Sequence, residues 1–400
     1  MRFLIVALAI LGAAATASAQ TPPAQDPKPS LEVYGFAMLD FGQNFNQIHP
    51  DWFDTMRVTK LPSFDEEFGK DGSTFAGVRQ TRLGVRSTMP TDYGDLFTQF
   101  EFELFGTGVD SGQTTFRLRH AYGELGPIGA GQYWSPFMDI DVFPNSLEYW
   151  GPTGMVFFRN VQVRWMPIKG DTRLTLAFER PGASGDPGTL ADRIELQNVK
   201  GRFPAPDFSG EYRRGFARGY VEAAGIIRYI RWDDLLDDQF ELSGSAVGWG
   251  INLSSNFRPT DADTLRFQFV YGEGIQNYMN DSPVDVGIVR NSGSSITPIE
   301  GQPVPITGVV AFLDHNWSSR LSTAVGYSGQ WNDNLEGQTP SSFQNGHYAL
   351  GNLLYAPIPN VMVGGEFQWG RRENFSDGFS SDAVKIQFSF RYNFSAKIGG

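Results

Sequence analysis

The segment "VKIQFSFRYNF", residues 384–394, alternates polar and apolar side chains without a break. Successive side chains of an extended chain leave opposite faces. Val384, Ile386, Phe388, Phe390, Tyr392 and Phe394 therefore share one side, and Lys385, Gln387, Ser389, Arg391 and Asn393 the other. Two architectures accept such a strand: a soluble sandwich that buries the apolar face in its core, or a membrane barrel that turns it to lipid and lines a wet lumen with the polar face. The local pattern fits both, so the rest of the chain must decide.

The same alternation recurs from Leu31 onward. "LFTQFEFELF" sets Leu96, Phe100, Phe102 and Leu104 against Gln99, Glu101 and Glu103. "TRLTLAFER", "TLRFQFVYG" and "NVMVGGEFQWG" repeat the arrangement, each with charge on its polar face. The connections alternate too. Short ones of turn-forming composition fall at 90–94, 126–129, 167–171, 316–319 and 357–360, and long ones at about 42–76, 135–156, 181–206, 273–305 and 332–345. Sorting loop length by end is the mark of an outer-membrane barrel, with tight periplasmic turns and longer external loops. Strand counting predicts an all-β, transmembrane antiparallel barrel of about 16 strands, an even number that brings both termini to one side. This count divides 206–232 into "PDFSGEYRR" and "GYVEAAGIIRYIRW".

Export is written at the start. "MRFLIVALAILGAAATASAQ" carries Arg2, an apolar run from Phe3 to Ala15 and a small-residue site at Ala17-Ser18-Ala19, so residues 1–19 read as a signal peptide and the mature chain as starting at Gln20. Residues 20–30 form a Pro-rich, disordered lead, 31–394 the barrel, and 395–400 a short tail. Beyond residue 20 no apolar run approaches the ~20 residues a membrane helix needs. Only a closed barrel could then span a bilayer. There is no cysteine. The formal charge of -12, or -13 once Arg2 leaves, argues against nucleic acid as a partner. Aromatic residues near strand ends, among them Tyr133, Trp134, Tyr149, Trp150, Trp165, Trp331, Tyr355, Trp369 and Phe394, read as interfacial girdles.

At "GQYWSPFMDIDVFPNSLEYWGP", residues 131–152, a strand runs into an acidic, proline-broken loop. With "VYGFAMLDF" at 33–41, "TRLGVRS" at 81–87, "LRHAYGEL" at 118–125, "VGWGINLS" at 247–254 and "FVYGEGIQNYMND" at 269–281, in that order, the chain resembles the DcaP-like trimeric porins of Gram-negative outer membranes. The resemblance covers the mature chain nearly end to end. It implies a 16-stranded barrel, a homotrimer, outer-membrane lipid and lipopolysaccharide as surroundings, and a third external loop, about 135–156, folded into the lumen as a constriction. Two features depart from the family. Residues 20–30 hold no heptads that could form a coiled coil, and Phe394 is followed by "SAKIGG" rather than ending the chain.

A passive channel selects with charges that replace part of a solute's hydration shell. The candidates on the wall are Arg82 and Arg86, Arg117 and Arg119, and Arg164, each on the face opposite apolar neighbours. An arginine on the lipid face near midplane would cost about 2–4 kcal/mol, which favours placing them inward. The inward loop offers Asp139, Asp141 and Glu148. Two readings follow: a transverse field that selects small polar or anionic solutes, or charge pairs that hold the loop in place. The family resemblance implies organic anions such as dicarboxylates as cargo.

A hydrolase would need a nucleophile and base held together. His49, His120, His315 and His347 form no HExxH, and no GxSxG occurs, so His120 reads as a wall residue. No residue pattern calls for a cofactor or metal, and "DDLLDD" at 233–238 reads as a solvated external loop. A secreted β-rich glycan-binding protein would explain the aromatics and the alternation but not the end-sorted loops.

Overall fold

The computed structural model describes residues 28–399; the expected signal peptide and most of the 20–30 lead lie outside them. Sixteen antiparallel strands form one closed ring. They are β1 (Ser30–Asn44), β2 (Arg82–Thr91), β3 (Gly94–Phe105), β4 (Thr114–Leu125), β5 (Ile128–Trp134), β6 (Arg159–Ile168), β7 (Arg173–Glu179) and β8 (Asp207–Phe216). The ring continues with β9 (Gly219–Asp234), β10 (Gly244–Phe257), β11 (Asp263–Glu273), β12 (Pro305–Asn316), β13 (Leu321–Asn332), β14 (Phe343–Tyr355), β15 (Val361–Asn374) and β16 (Ser380–Gly399). Each strand pairs with its sequence neighbour, and β16 closes on β1. The stretch after 206 splits into two strands as the count expects, turning at 217–218 between Phe216 and Gly219.

Closure corrects one boundary. The last strand does not stop at Phe394. It continues through Gly399, whose partner is Ser30, so residues 395–399 are wall rather than tail. The top of β1 pairs with a separate strand, Ser73–Gly77, inside the first external loop, while its lower half pairs with β2. That loop accordingly runs from 45 to 81. A hairpin of Val286–Arg290 and Ile299–Pro303 rises from the sixth external loop.

The alternation is now oriented. Lys385, Gln387 and Ser389 are 0%, 0% and 1% exposed, whereas Phe388, Phe390 and Tyr392 are 46%, 37% and 54% exposed. The apolar face looks outward, the reverse of a soluble sandwich, and the wall closes on itself as a ring without edges. Phe41 stacks on Phe388 at 5.5 Å between centroids on this outer surface.

One half of the interior departs from the polar-in rule. Ile226 on β9, Val270 on β11, Ile306, Val310 and Phe312 on β12, and Leu350 on β14 all point inward and are buried. They pack against Phe137, Met138, Val142, Met155 and Val156 of the third external loop and Met56, Val58 and Leu61 of the first. The hydrophobic core of this protein thus lies inside the ring, between loop segments and one side of the wall.

Candidate pore lining

Strand β3 carries Glu101 and Glu103 inward between two strands that carry arginine. The register sets Arg82 of β2 opposite Glu103, and Glu103 opposite Arg117 of β4. A bulge interrupts β4: Glu101 pairs with His120 and Phe102 with Leu118, leaving Arg119 as the extra residue. Such an insertion locally re-aims side chains. Both Arg119 and His120 turn inward, 5% and 3% exposed. Arg119 Nε then donates to Glu101 Oε1 and its Nη1 to Glu103 Oε2, each at 2.6 Å.

Glu103 collects further cations. Arg117 lies 3.5 Å from it, Arg82 3.6 Å and Arg159 of β6 3.6 Å, and the Tyr149 hydroxyl donates to it. A buried carboxylate is costly alone and tolerable only when its lone pairs are met. Here the cations outnumber it, and they are left short of partners instead: Arg82 Nε, Arg117 Nη1 and Arg159 Nη1 are buried without a hydrogen bond among the described residues. Arg391 of β16 has a buried Nε in the same condition and no salt bridge to a described carboxylate; its guanidinium lies over the Phe36 ring.

These arginines border a cavity of about 560 Å³. The third loop and its neighbour add apolar side chains to the lining, Ile140, Phe143, Phe157, Phe158 and Met279, beside the polar Glu148, Asn277 and Asn280. The loop crosses the ring: Tyr149 reaches Glu103 on the arginine wall, while the loop's first residues are bonded to strands on another side. Asp139 Oδ1 accepts from Arg213 Nη2 of β8 at 2.6 Å, and Asp139 Oδ2 accepts from Tyr220 of β9 and Ser254 of β10 at 2.7 and 2.6 Å. Further along, Asn256 and Arg266 donate to the Asp141 carbonyl, Asn352 to the Asn145 carbonyl, and the Leu147 and Glu148 amides donate to Glu366. External loops clasp the same segment. Arg57 of the first loop lies between the rings of Trp52 and Trp150, 4.2 and 4.1 Å from their centroids, and bonds Asp281 of the sixth loop at 2.9 Å.

Of the residues expected at the narrowest point, the structure brings Arg82, Arg117 and Arg119 together at the cavity. Arg86 stands elsewhere, half-exposed toward the periplasmic end of β2, and pairs with Glu32 at 2.8 Å. Arg164 is taken up by Gln162 at 3.0 Å and by the Trp134 carbonyl, stacked near Tyr133. Asp139, Asp141 and Glu148 do not confront the arginines with free carboxylates. Asp139 and Asp141 bond Arg213 on another wall. Glu148 borders the cavity, but its carboxylate is buried and accepts the Met56 and Gly151 amides. For Asp139 and Glu148 the physical reason is burial: a carboxylate inside a packed loop must spend its lone pairs on the donors that anchor it, whereas Asp141 keeps a half-exposed carboxylate turned to Arg213. Four aromatics expected in the girdle are interior instead. Tyr133 and Trp134 pack on His120, and Tyr149 stacks on Phe105 at 3.8 Å, with Trp150 beside it.

Sequence reading passed over Arg159, Arg391 and Arg213. Parity alone marks Arg391, which shares a face with Lys385 and Gln387. The loss of alternation in "PITGVVAFLDHN", apolar on both faces, was the available sign that a loop covers that wall.

The family model of the DcaP outer membrane protein matches residues 60–394. The chain belongs to this family. As a member of the DcaP outer membrane protein family it is a Gram-negative outer-membrane barrel of the porin and channel type. The outer membrane channel DcaP of Acinetobacter baumannii superposes with a TM-score of 0.74 at 20% identity, covering 92% of this chain and 98% of that one. An anion-selective porin from Comamonas acidovorans gives 0.59 at 9% identity, over 92% and 100% of the two chains. OmpT of Vibrio cholerae in its trimer form gives 0.53 at 12%, over 92% and 100%. At these identities the structures share the fold. No curated protein sequence gives a significant match.

Proposed function

We propose that this member of the DcaP outer membrane protein family is a passive, non-enzymatic diffusion channel that favours small organic anions, dicarboxylates among them, and that the arginine wall and the inward loop form its constriction. The observation that carries the reading is the charge balance at the cavity. Five guanidinium groups, Arg82, Arg117, Arg119, Arg159 and Arg391, border it, and the carboxylates they meet are Glu101 and Glu103. Arg82 and Arg117, with side chains 26% and 25% exposed, line the cavity, and a guanidinium suits a planar carboxylate that accepts two donors at once. The apolar side chains that the loops add to the lining would take a hydrocarbon body. The anion selectivity named for the Comamonas porin agrees with this reading.

The test is reversal potential in a planar bilayer under a salt gradient, for the parent and for a triple change of Arg82, Arg117 and Arg119 to Gln. The expected result is an anion-selective parent and a shift toward cations in the variant; an unchanged potential removes these arginines from the filter. We infer further that three copies associate through their barrel walls, as the trimer form of OmpT suggests, and a heat-modifiable trimer on electrophoresis is the expected outcome.

A further inference from the structure

On the outer surface of β9 the side chains change character step by step toward the external loop 235–243. Ile227 and Tyr229 face lipid at 57% and 37% exposure, Arg231 comes next, and Asp233 after it. Two residues of strand rise about 7 Å, so Arg231 stands one headgroup layer above the aromatic ring. Val247 and Trp249 of β10, 55% and 36% exposed, continue the apolar and aromatic levels below.

Directly across from Arg231 is Arg202, on the short strand Val199–Arg202 of the fourth external loop, and across from Asp233 is Lys200. Like charges facing each other across a ladder are destabilising. One carboxylate serves both arginines: Asp233 accepts from Arg231 Nε at 2.9 Å and from Arg202. Lys200 has no described carboxylate within ion-pair reach, and its Nζ lies 3.5 Å from the Gln197 carbonyl. Of the other acids nearby, Glu273 accepts the Trp249 indole at 2.8 Å, Asp234 accepts the Leu236 and Leu242 amides, and Glu241 accepts the Ser243 amide. On the opposite side of the barrel the outward Arg371 is matched by Glu373 and Asp382, both at 2.9 Å.

We infer that Lys200, Arg202 and Arg231 form a binding site for the phosphate of a phosphorylated lipid headgroup in the outer leaflet, with Tyr229 and Trp249 against the upper part of its acyl chains. Asp233 is the one described carboxylate paired with Arg202 and Arg231, and none is paired with Lys200, so an added anion meets a cluster of three cations and one acid; cations at an interface attract anionic lipid at about 1 kcal/mol each.

The purified barrel in detergent is titrated with diphosphorylated lipid A and with the same lipid stripped of phosphate, and bound lipid is counted by native mass spectrometry. The parent should prefer the phosphorylated form by about tenfold or more. K200S/R202S/R231S should lose that preference while keeping its heat-modifiable mobility, and R371S should retain it. Equal binding of the two lipids by the parent, or an undiminished preference in the triple variant, overturns the proposal. So does displacement of the lipid by millimolar inorganic phosphate, which would identify a free-anion site. Should the triple variant fail to assemble, the parent's comparison of the two lipids decides the question.

Discussion

Arg213 on the wall and Asp139 on the inward loop meet at 2.6 Å, both buried, at 6% and 0% exposure. Arg213 Nε also bonds Glu222 at 2.6 Å, and its guanidinium lies over the Tyr220 ring. Together with the Tyr220 and Ser254 hydroxyls, this cation fixes the start of the loop to the side of the ring away from Arg82 and Arg119. The space between is the cavity.

Removing that cation strands a buried carboxylate, a loss typically worth about 3–5 kcal/mol. Arg213→Gln should free the loop: single-channel conductance rises, open-channel noise grows and the midpoint of heat modification falls. Identical current traces for parent and variant would mean the loop is held without Arg213.

Arg391 and Arg86 both point inward on neighbouring parts of the wall, yet only Arg391 borders the cavity, and Arg86 already has Glu32. Arg391→Gln should move reversal potential toward cations, and Arg86→Gln should leave it nearly in place. The reverse order would shift the selective region toward the periplasmic end.

Glu103 is shared by Arg82, Arg117, Arg119 and Arg159. Glu103→Gln removes the counter-charge without changing shape, so anion selectivity should increase while thermal stability drops, by a few kcal/mol as for a broken buried pair. Reversal potential and heat-modified mobility report the two effects separately, and a fall in anion selectivity would contradict the charge balance drawn at the cavity.

The outward apolar face has its own consequence. Phe388→Arg places a charge against hydrocarbon at about 2–4 kcal/mol if near midplane. Folding titrations into lipid vesicles should show that loss. A photoreactive lipid should label Phe388 and Phe390 and leave Lys385 and Gln387 unmarked; labelling of the polar pair would turn the barrel inside out.

Much of the architecture was legible in the residues. Strict alternation in segments such as 384–394, together with loop lengths sorted by end, is enough to require a closed barrel, because period two fixes which residues share a face and an open sheet cannot stand in hydrocarbon. It also placed Arg82, Arg117 and Arg119 on the wet side. What alternation cannot convey is neighbourhood across strands. The encounter of Glu103 with four guanidinium groups depends on register and on a bulge at Arg119, and the diversion of Asp139 and Glu148 depends on donors, Arg213 and the Met56 amide, that lie far away in the chain. Side-chain periodicity is a local property of the backbone and was readable from the chain alone; the pairing of buried charges is settled by which strands and loops meet, and only the folded ring decided that.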